Sequence, residues 1–349
     1  MRFSPEKRFS LAVRGALLAA FVLMVSHPAL TFSQAAKALI VWYRSIVPTL
    51  LPVLIVSSLI VATRAWELLI PILHPILGRL FCIPPCGSFS LLLGMLCGYP
   101  MGTKIVSDLY REGELSPKEA RHLLTFTSFP SPMFLNGFLL HQCFDNSSLV
   151  IPFLGAVYGS AFVIGILYPR IIPLFSFFSG KDASGKPFSG SSDHSASTVL
   201  TKSSSRKTSS GKQPVLTFAA LQQTLLSSAQ ILLLVGLYMM LAMILSGFLE
   251  LFLSRLSAES VPHVLPLLTG LLEMTTGISF LPASGLSLSS AALVAIFLCC
   301  FGGLSIALQT SAVLPKGNFW FLHYLFWKLI HGVIAVCFLK LIFLIFPVI

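Results

Sequence analysis

Apolar runs long enough to cross a membrane recur along the chain and are separated by short polar segments. They lie at 11–30, 46–63, 149–169, 225–249 and 319–346. A helix needs about 20 apolar residues to cross the hydrocarbon core of a bilayer. Together with two further helices that are broken near their middle, these runs predict an all-α polytopic membrane protein with about seven transmembrane helices.

The segment 91–136 is apolar at both ends but is interrupted by glycine and proline. Its first part, 91–101, has only about 11 residues before charged residues follow, which is too short to cross a bilayer. The interruptions are Gly94, Gly98, Pro100, Gly102, Pro130 and Pro132. Backbone groups freed at membrane depth must lie against protein or a wet cavity, because lipid offers them no hydrogen-bond partners. We therefore predict a re-entrant hairpin, followed by a helix that starts in a capping box at Ser116 and breaks near Pro130.

The second half repeats this order of elements. The long apolar run at 225–249 precedes an interrupted segment at 264–281 and a second broken run at 291–313. The interruptions are Gly270, Gly277, Gly302 and Gly303. If the N-terminus is cytoplasmic, the two interrupted segments enter the membrane from opposite faces. Inverted repeats whose discontinuous helices meet near the midplane are a recurring plan of secondary transporters, and we predict two re-entrant hairpins in such a repeat.

A change of composition separates the two repeats. Residues 179–213 are rich in Ser, Gly and Lys, cannot bury a core, and are predicted to be a disordered linker. Their excess of basic residues places this linker on the cytoplasmic side. The predicted domains are an N-terminal transmembrane helix (1–33), a first repeat (34–178), the linker and a second repeat (214–349). A signal peptide is the alternative for residues 1–30, but no clear cleavage site follows Val25, so we expect a retained helix in the cell membrane with a cytoplasmic N-terminus.

The composition agrees with a membrane protein and excludes other classes. Hydrophobic residues make up 55% of the 349 residues and charged residues 10%, whereas soluble domains carry roughly 25% charged residues. The net charge of +11 arises mostly from basic residues in short loops and the linker, where they orient helices and contact anionic lipid. No basic stripe is interleaved with aromatic residues, so nucleic acid is not an expected partner. The seven cysteines lack the spacing of a zinc site, and we expect neither a metal nor another cofactor.

Glu273 is the sharpest candidate for a site residue, because it is the one carboxylate inside a clearly apolar segment. Burial of a carboxylate in a membrane costs roughly 3 kcal/mol, so Glu273, with Thr275 and Thr276 beside it, should face a cavity or a polar partner. The alternative is a side chain that reaches back to the membrane interface. Lys104 and Asp108 share a helix face and either neutralise each other or leave Lys104 to contact an anionic solute.

Neutral hydrogen-bonding side chains surround the predicted breaks. They are Tyr99 at the hairpin tip, Ser128, Ser131 and Asn136 around Pro130, and Gln309 after the second break. We expect Tyr99 to shape the tip first and to contact a solute second. The other side chains suit a neutral polar or zwitterionic solute, and hydrogen bonding between helices is the alternative explanation.

The motif Gly98-Tyr-Pro-Met-Gly-Thr-Lys104, followed by a charged helix and a break at Ser-Phe-Pro-Ser-Pro, resembles the YlbJ family of sporulation integral membrane proteins. Glu273-Met-Thr-Thr-Gly277 and Phe301-Gly-Gly-Leu-Ser305 with Gln309 look like the second-half counterparts. That family shares a nucleoside-recognition Gate domain with concentrative nucleoside transporters and ferrous iron permeases. The resemblance implies two Gate-like repeats, a transport-like fold and a role in endospore formation.

We therefore expect a permease or channel for a small polar solute, nucleoside-like or another metabolite, that acts in endospore formation. The alternative is a membrane scaffold that transports nothing and is required for assembly of the spore cortex or coat. The chain has no metalloprotease motif, no paired aspartates and no nucleophile elbow, so we expect no enzyme activity. The expected partners are the lipid bilayer, the solute and, as a further candidate, a second copy of the chain.

Overall fold

Helices form all of the regular structure in the part of the chain that the computed structural model describes, namely residues 5–178, 218–255, 261–315 and 318–346. The first half contains α1 (Pro5–Ser26), α2 (Pro28–Val41), α3 (Val47–Ala62), α4 (Ile70–Phe81), α5 (Pro85–Cys97), α6 (Met101–Arg111), α7 (Pro117–Phe126) and α8 (Val150–Phe178). The second half contains α9 (Phe218–Ser254), α10 (Val261–Leu272), α11 (Met274–Ser279), α12 (Leu288–Phe301), α13 (Gly303–Ser311) and α14 (Asn318–Ile345). Short π- and 3-10 elements lie at Trp42–Ile46, Ala65–Leu69, Phe134–Phe144, Ser147–Leu149 and Leu281–Ala283. The predicted linker, 179–213, lies outside the described residues.

The described helices give four to six membrane spans, and the all-α membrane fold is confirmed. Four helices are long and apolar enough to cross a membrane, and the count rises to six if each of two bent helix pairs is one span. The sequence predicted about seven. The difference lies at the helix that was predicted to break near Pro130, which consists of α7, an irregular stretch at 127–131 and the π-helix Phe134–Phe144. Pro130 and Pro132 divide it because proline has no N–H and disfavours a helical conformation in the residue before it.

A sharp bend divides the first predicted helix, 11–30. The segments Leu17–Ser26 and Pro28–Arg44 make an angle of 101°. Pro28 causes the break, since it keeps His27 out of the helical conformation, and His27 adopts φ −127° and ψ 62°. The prediction of one helix over 11–30 is corrected accordingly.

A second bend joins Leu50–Ala62 to Ala65–Phe81 at 90°. Arg64 at this corner has a left-handed backbone conformation with φ 57°. Its guanidinium group pairs with Glu67 at 2.6 Å and with Glu114, in the loop after α6, at 2.5 Å. These ion pairs tie the corner to that loop.

The described helices pack around one apolar core. In the described residues, α14 packs along α8 and α12, and α9 packs along α2, α3 and α10. One continuous apolar core includes Phe89 of α5, Phe129 of the irregular stretch and Cys299 of α12, all of them fully buried. The large exposed apolar side chains include Phe21 of α1 and Leu344 of α14, which suits an outer surface in contact with lipid. The short helices α5, α6 and α11 contribute buried residues to this core and α10 packs against it, while Leu96 of α5 and Val264 of α10 are exposed.

The predicted capping box at Ser116 is present. The Ser116 hydroxyl accepts the N–H of Glu119 at 3.3 Å, and the Glu119 carboxylate accepts the N–H of Ser116 at 2.8 Å. These bonds satisfy two N–H groups at the start of α7 and fix the point at which the chain leaves the polar loop.

Substitution of Ser116 by alanine is expected to lower the free energy of unfolding by about 1 kcal/mol, because the first turn of α7 loses its cap. Denaturant unfolding of the purified protein in detergent measures the difference. Ser116→Asp keeps an acceptor at the same place and is the control. An equal loss of stability in both variants would contradict the prediction.

Candidate functional site

The first hairpin consists of α5 and α6, which meet at Gly94 and Gly102. A Cβ atom at Gly102 would lie 1.8 Å from the carbonyl oxygen of Thr127 and 3.1 Å from the Cα atom of Gly94. A Cβ atom at Gly94 would lie 2.2 Å from the same oxygen. The two glycines therefore allow the hairpin to pack directly on the backbone at the start of the irregular stretch 127–131.

The second hairpin, formed by α10 and α11, is built in the same way. A Cβ atom at Gly277 would lie 2.3 Å from the Cα atom of Gly270, and one at Gly303 would lie 2.8 Å from the carbonyl oxygen of Gly270. Gly303 begins α13, and Gly302 separates it from α12 with a φ of 88°. Each half thus contains a two-helix hairpin that packs through glycine on a broken helix. The opposite orientation of the two halves in the membrane stays a prediction.

The tips of the two hairpins touch each other. Gly98 ends α5 with a φ of 78°, and the peptide bond between Tyr99 and Pro100 is cis. The N–H of Tyr99 donates to the carbonyl oxygen of Phe129 at 2.9 Å, and the Tyr99 hydroxyl donates to the sulfur of Met274 at 2.8 Å. Tyr99 and Met274 each directly follow the residue at which their own hairpin turns. The predicted tip residue Tyr99 is therefore the meeting point of the two halves.

Glu273 caps the second limb of its own hairpin. Its carboxylate accepts the N–H of Thr275 at 3.2 Å and the N–H of Thr276 at 2.7 Å, and it also accepts both threonine hydroxyls. The polar partner that the sequence required is thus the start of α11, where a negative side chain is favourable. Glu273 is 2% exposed, so its side chain does not reach back to an open surface.

Buried polar side chains gather next to the first hairpin tip. We call them the Lys328 cluster, which consists of Ser128, Thr310, Tyr324, Lys328 and His331. Tyr324, Lys328 and His331 follow each other at helical spacing and share one face of α14. The Tyr324 hydroxyl lies 3.1 Å from the Ser128 hydroxyl and accepts the hydroxyl of Thr310 at 3.3 Å. The Lys328 ammonium donates to the carbonyl oxygen of Ser128 at 2.7 Å and lies 6.0 Å from the centre of the Tyr99 ring.

The sequence patterns did not single out Lys328 as a site residue. Its side chain is among the largest that are fully buried, whereas Lys340 on the same helix is exposed. An ionisable residue within a transmembrane helix is a functional candidate by default, and that rule applied to 319–346 would have found Lys328. Its contact with Ser128 joins residues far apart in the chain, and periodicity carries no signal for such a contact.

In the described part of the chain, two predicted residues make no hydrogen bond with the Lys328 cluster. The Lys104 ammonium pairs with Asp108 and donates to the hydroxyl of Ser58 at 2.7 Å. This agrees with neutralisation of Lys104 by Asp108, which was one of the two roles that the sequence left open; the other was contact with an anionic solute. Asn136 is exposed on the π-helix. Among the described residues, no group of three or more His, Cys, Asp or Glu side chains is placed to hold a metal ion.

Ser131 and Gln309 make local hydrogen bonds beside the two breaks. The Ser131 hydroxyl accepts the N–H of Phe134 at 3.2 Å and so starts the π-helix. The Gln309 amide donates to the hydroxyl of Ser305 one turn earlier in α13 at 3.0 Å. Gln309 directly precedes Thr310 of the Lys328 cluster, so the second break also contributes to the polar surroundings of the hairpin tips.

Comparison with known proteins agrees with this geometry. Residues 43–137 match the Gate family model, which is described as nucleoside recognition. The matched range begins before α3 and contains the whole first hairpin, its tip at Tyr99 and the irregular stretch with Ser128. The resemblance that the sequence motifs indicated is therefore confirmed for the first half.

A relative extends the likeness to the second half. The chain is 28% identical to the sporulation integral membrane protein YlbJ of Bacillus subtilis (strain 168) over 353 aligned positions. The alignment covers 93% of this chain and 82% of that protein. No solved structure matches the chain. Tyr99 and Ser128 lie within the range that matches the Gate family model, whereas Glu273 and Lys328 lie in the second half, outside that range.

Proposed function

We propose that the chain is a Gate-type permease or channel for a small polar solute, and not an enzyme, that acts in endospore formation. The observation that carries the proposal is the contact between the two hairpin tips beside the buried Lys328 cluster. The role in sporulation rests on the name of the Bacillus subtilis relative. We also propose that the N-terminus and the linker 179–213 lie on the cytoplasmic side of the cell membrane.

The placement of irregular backbone supports a passage through the protein. The stretch 127–131 and both hairpin tips are largely buried in the protein, where lipid cannot satisfy their backbone groups. Discontinuous helices of two inverted halves commonly meet at a solute site near the middle of the membrane. The inverted repeat is part of this proposal.

The chemistry of the Lys328 cluster favours a polar solute with hydrogen-bond acceptors. In the described part of the chain, the hydrogen-bond partners of the Lys328 ammonium are neutral: the carbonyl oxygen of Ser128 and the Nδ1 atom of His331. A buried cation without a carboxylate partner costs free energy, and such groups in membranes commonly mark solute or ion pathways. The ammonium group has three N–H donors, and these two partners use two of them, so the third is available to a solute that enters between the tips.

The contact between the tips is weak enough to open. The hydrogen bond from Tyr99 to Met274 ends on a thioether sulfur, which is a weak acceptor. Even an ordinary neutral hydrogen bond contributes only roughly 0.5–1.5 kcal/mol net. Separation of Tyr99 from Met274 is the movement that we propose admits the solute.

Solute uptake by the purified protein in liposomes tests the proposal. The vesicles are incubated with a polar metabolite extract of sporulating bacterial cells, and the solutes inside are identified by mass spectrometry against protein-free vesicles. We expect one class of polar solute to accumulate. We expect Glu273→Gln to reduce its uptake about tenfold, because the hairpin tip loses charge-assisted hydrogen bonds of roughly 1.5–3 kcal/mol each.

Glu112→Gln is the matched control, since it makes the same change at an exposed glutamate directly after α6. It should retain wild-type uptake. If the wild-type protein accumulates no solute, or if Glu273→Gln takes up solute at the wild-type rate, the permease proposal fails. The scaffold alternative then gains support. Under that alternative, deletion of 179–213 should impair sporulation more than substitutions in the hairpins do.

A further inference from the structure

His331 has two hydrogen-bond partners that fix its protonation. The residue is 1% exposed on α14. Its Nε2 atom lies 3.1 Å from the carbonyl oxygen of Val157 in α8, and its Nδ1 atom lies 3.3 Å from the ammonium of Lys328. A carbonyl oxygen only accepts, so Nε2 carries the proton. Nδ1 then presents a lone pair, and it accepts a hydrogen bond from Lys328.

Two acceptors on different elements therefore hold the Lys328 ammonium. One is the carbonyl oxygen of Ser128 in the irregular stretch, and the other is Nδ1 of His331. A lysine side chain has a flexible four-carbon stem and does not hold one geometry without such partners. Cys299 and Cys300 on α12, both fully buried, also lie near enough to the ammonium to interact with it electrostatically.

We propose that His331 is the positioning residue of the solute site. It is anchored to α8 through Val157 and keeps the Lys328 ammonium between Ser128 and the hairpin tip at Tyr99. This inference rests on the proposed function, because the ammonium is taken to bind the solute. A histidine that merely fills the core would satisfy the Val157 carbonyl oxygen without any effect on Lys328.

Two substitutions separate these roles. His331→Asn places a carboxamide oxygen near the position of Nδ1 and keeps an acceptor for Lys328, but it is too short to reach Val157. His331→Gln reaches the position of Nε2 and keeps a donor for Val157, but it has no acceptor at the position of Nδ1. Initial uptake rates over a dilution series of the metabolite extract give an apparent KM and a maximal rate for each variant.

We expect His331→Gln to raise the apparent KM at least tenfold with a maximal rate near wild type, and His331→Asn to stay within about twofold of the wild-type KM. Equal apparent KM values in the two variants would overturn the proposal. If His331→Gln does not fold, His331→Leu takes its place, because it also lacks the acceptor.

A spectroscopic measurement is independent of transport. The ¹⁵N signal of the Lys328 ammonium is recorded by solid-state NMR in liposomes, from protein labelled with ¹⁵N-lysine, and is assigned by its loss in Lys328→Met. The chemical shift of this signal should change in His331→Gln and stay the same in His331→Asn. An unchanged chemical shift in both variants overturns the positioning role. If the wild-type protein moves no solute, the proposed function fails, and the NMR result alone decides whether His331 positions Lys328.

Discussion

Replacement of Lys328 by methionine is expected to reduce solute uptake strongly while the protein remains folded. Methionine has a similar length and fills the space among the apolar neighbours of Lys328, and removal of a buried charge in favour of an apolar group is often neutral for stability. The solute loses its charged donor between Tyr99 and Ser128. Each hydrogen bond to a charged group is worth roughly 1.5–3 kcal/mol, so we expect uptake to fall about tenfold to a hundredfold.

The same helix offers the control for this experiment. Lys340 is exposed on α14, and Lys340→Met removes the same charge from the same element. Uptake rates of both variants are compared in liposomes at equal amounts of inserted protein, and melting temperatures in detergent show that both are folded. The role of Lys328 is refuted if Lys328→Met and Lys340→Met transport at the same rate.

The hairpins could be predicted from the sequence because their signal is local. Gly94, Gly102 and Gly277 interrupt apolar segments, and each glycine lies where backbone packs on backbone. The capping box at Ser116 is equally local, since its two hydrogen bonds join residues three positions apart. Glu273 was correctly expected to need a polar partner, but the pattern did not show that the N–H groups of its own helix would supply it.

The Lys328 cluster could not be predicted in the same way. It depends on contacts between α14 and Ser128, which lies about two hundred positions earlier in the chain. No periodic pattern encodes such a contact; it exists only because α14 packs against the end of α7 and along α8. The bend at Pro28 was missed for a different reason, since a run of apolar residues continues across it and concealed a local break.

Substitution of Gly102 by alanine is expected to destabilise the protein more than any other single change considered above. The new Cβ atom would lie 1.8 Å from the carbonyl oxygen of Thr127 and 3.1 Å from the Cα atom of Gly94. Both neighbours are backbone atoms, so no side chain can rotate away, and the hairpin must separate from the irregular stretch 127–131. Overpacking in a core costs about 1–3 kcal/mol and occasionally more, and we expect a loss at or above the upper end of that range.

Gly137 provides the matched control, because a Cβ atom there would have no neighbour within 4 Å. Unfolding of Gly102→Ala and Gly137→Ala in detergent measures the difference, and Gly137→Ala should match wild type. Gly277→Ala tests the second hairpin in the same assay, since its Cβ atom would lie 2.3 Å from the Cα atom of Gly270. A common architecture of the two halves requires large losses in both hairpin variants. If Gly102→Ala is as stable as Gly137→Ala, the close packing of the first hairpin on Thr127 is wrong, and the meeting of the tips at Tyr99 loses its structural support.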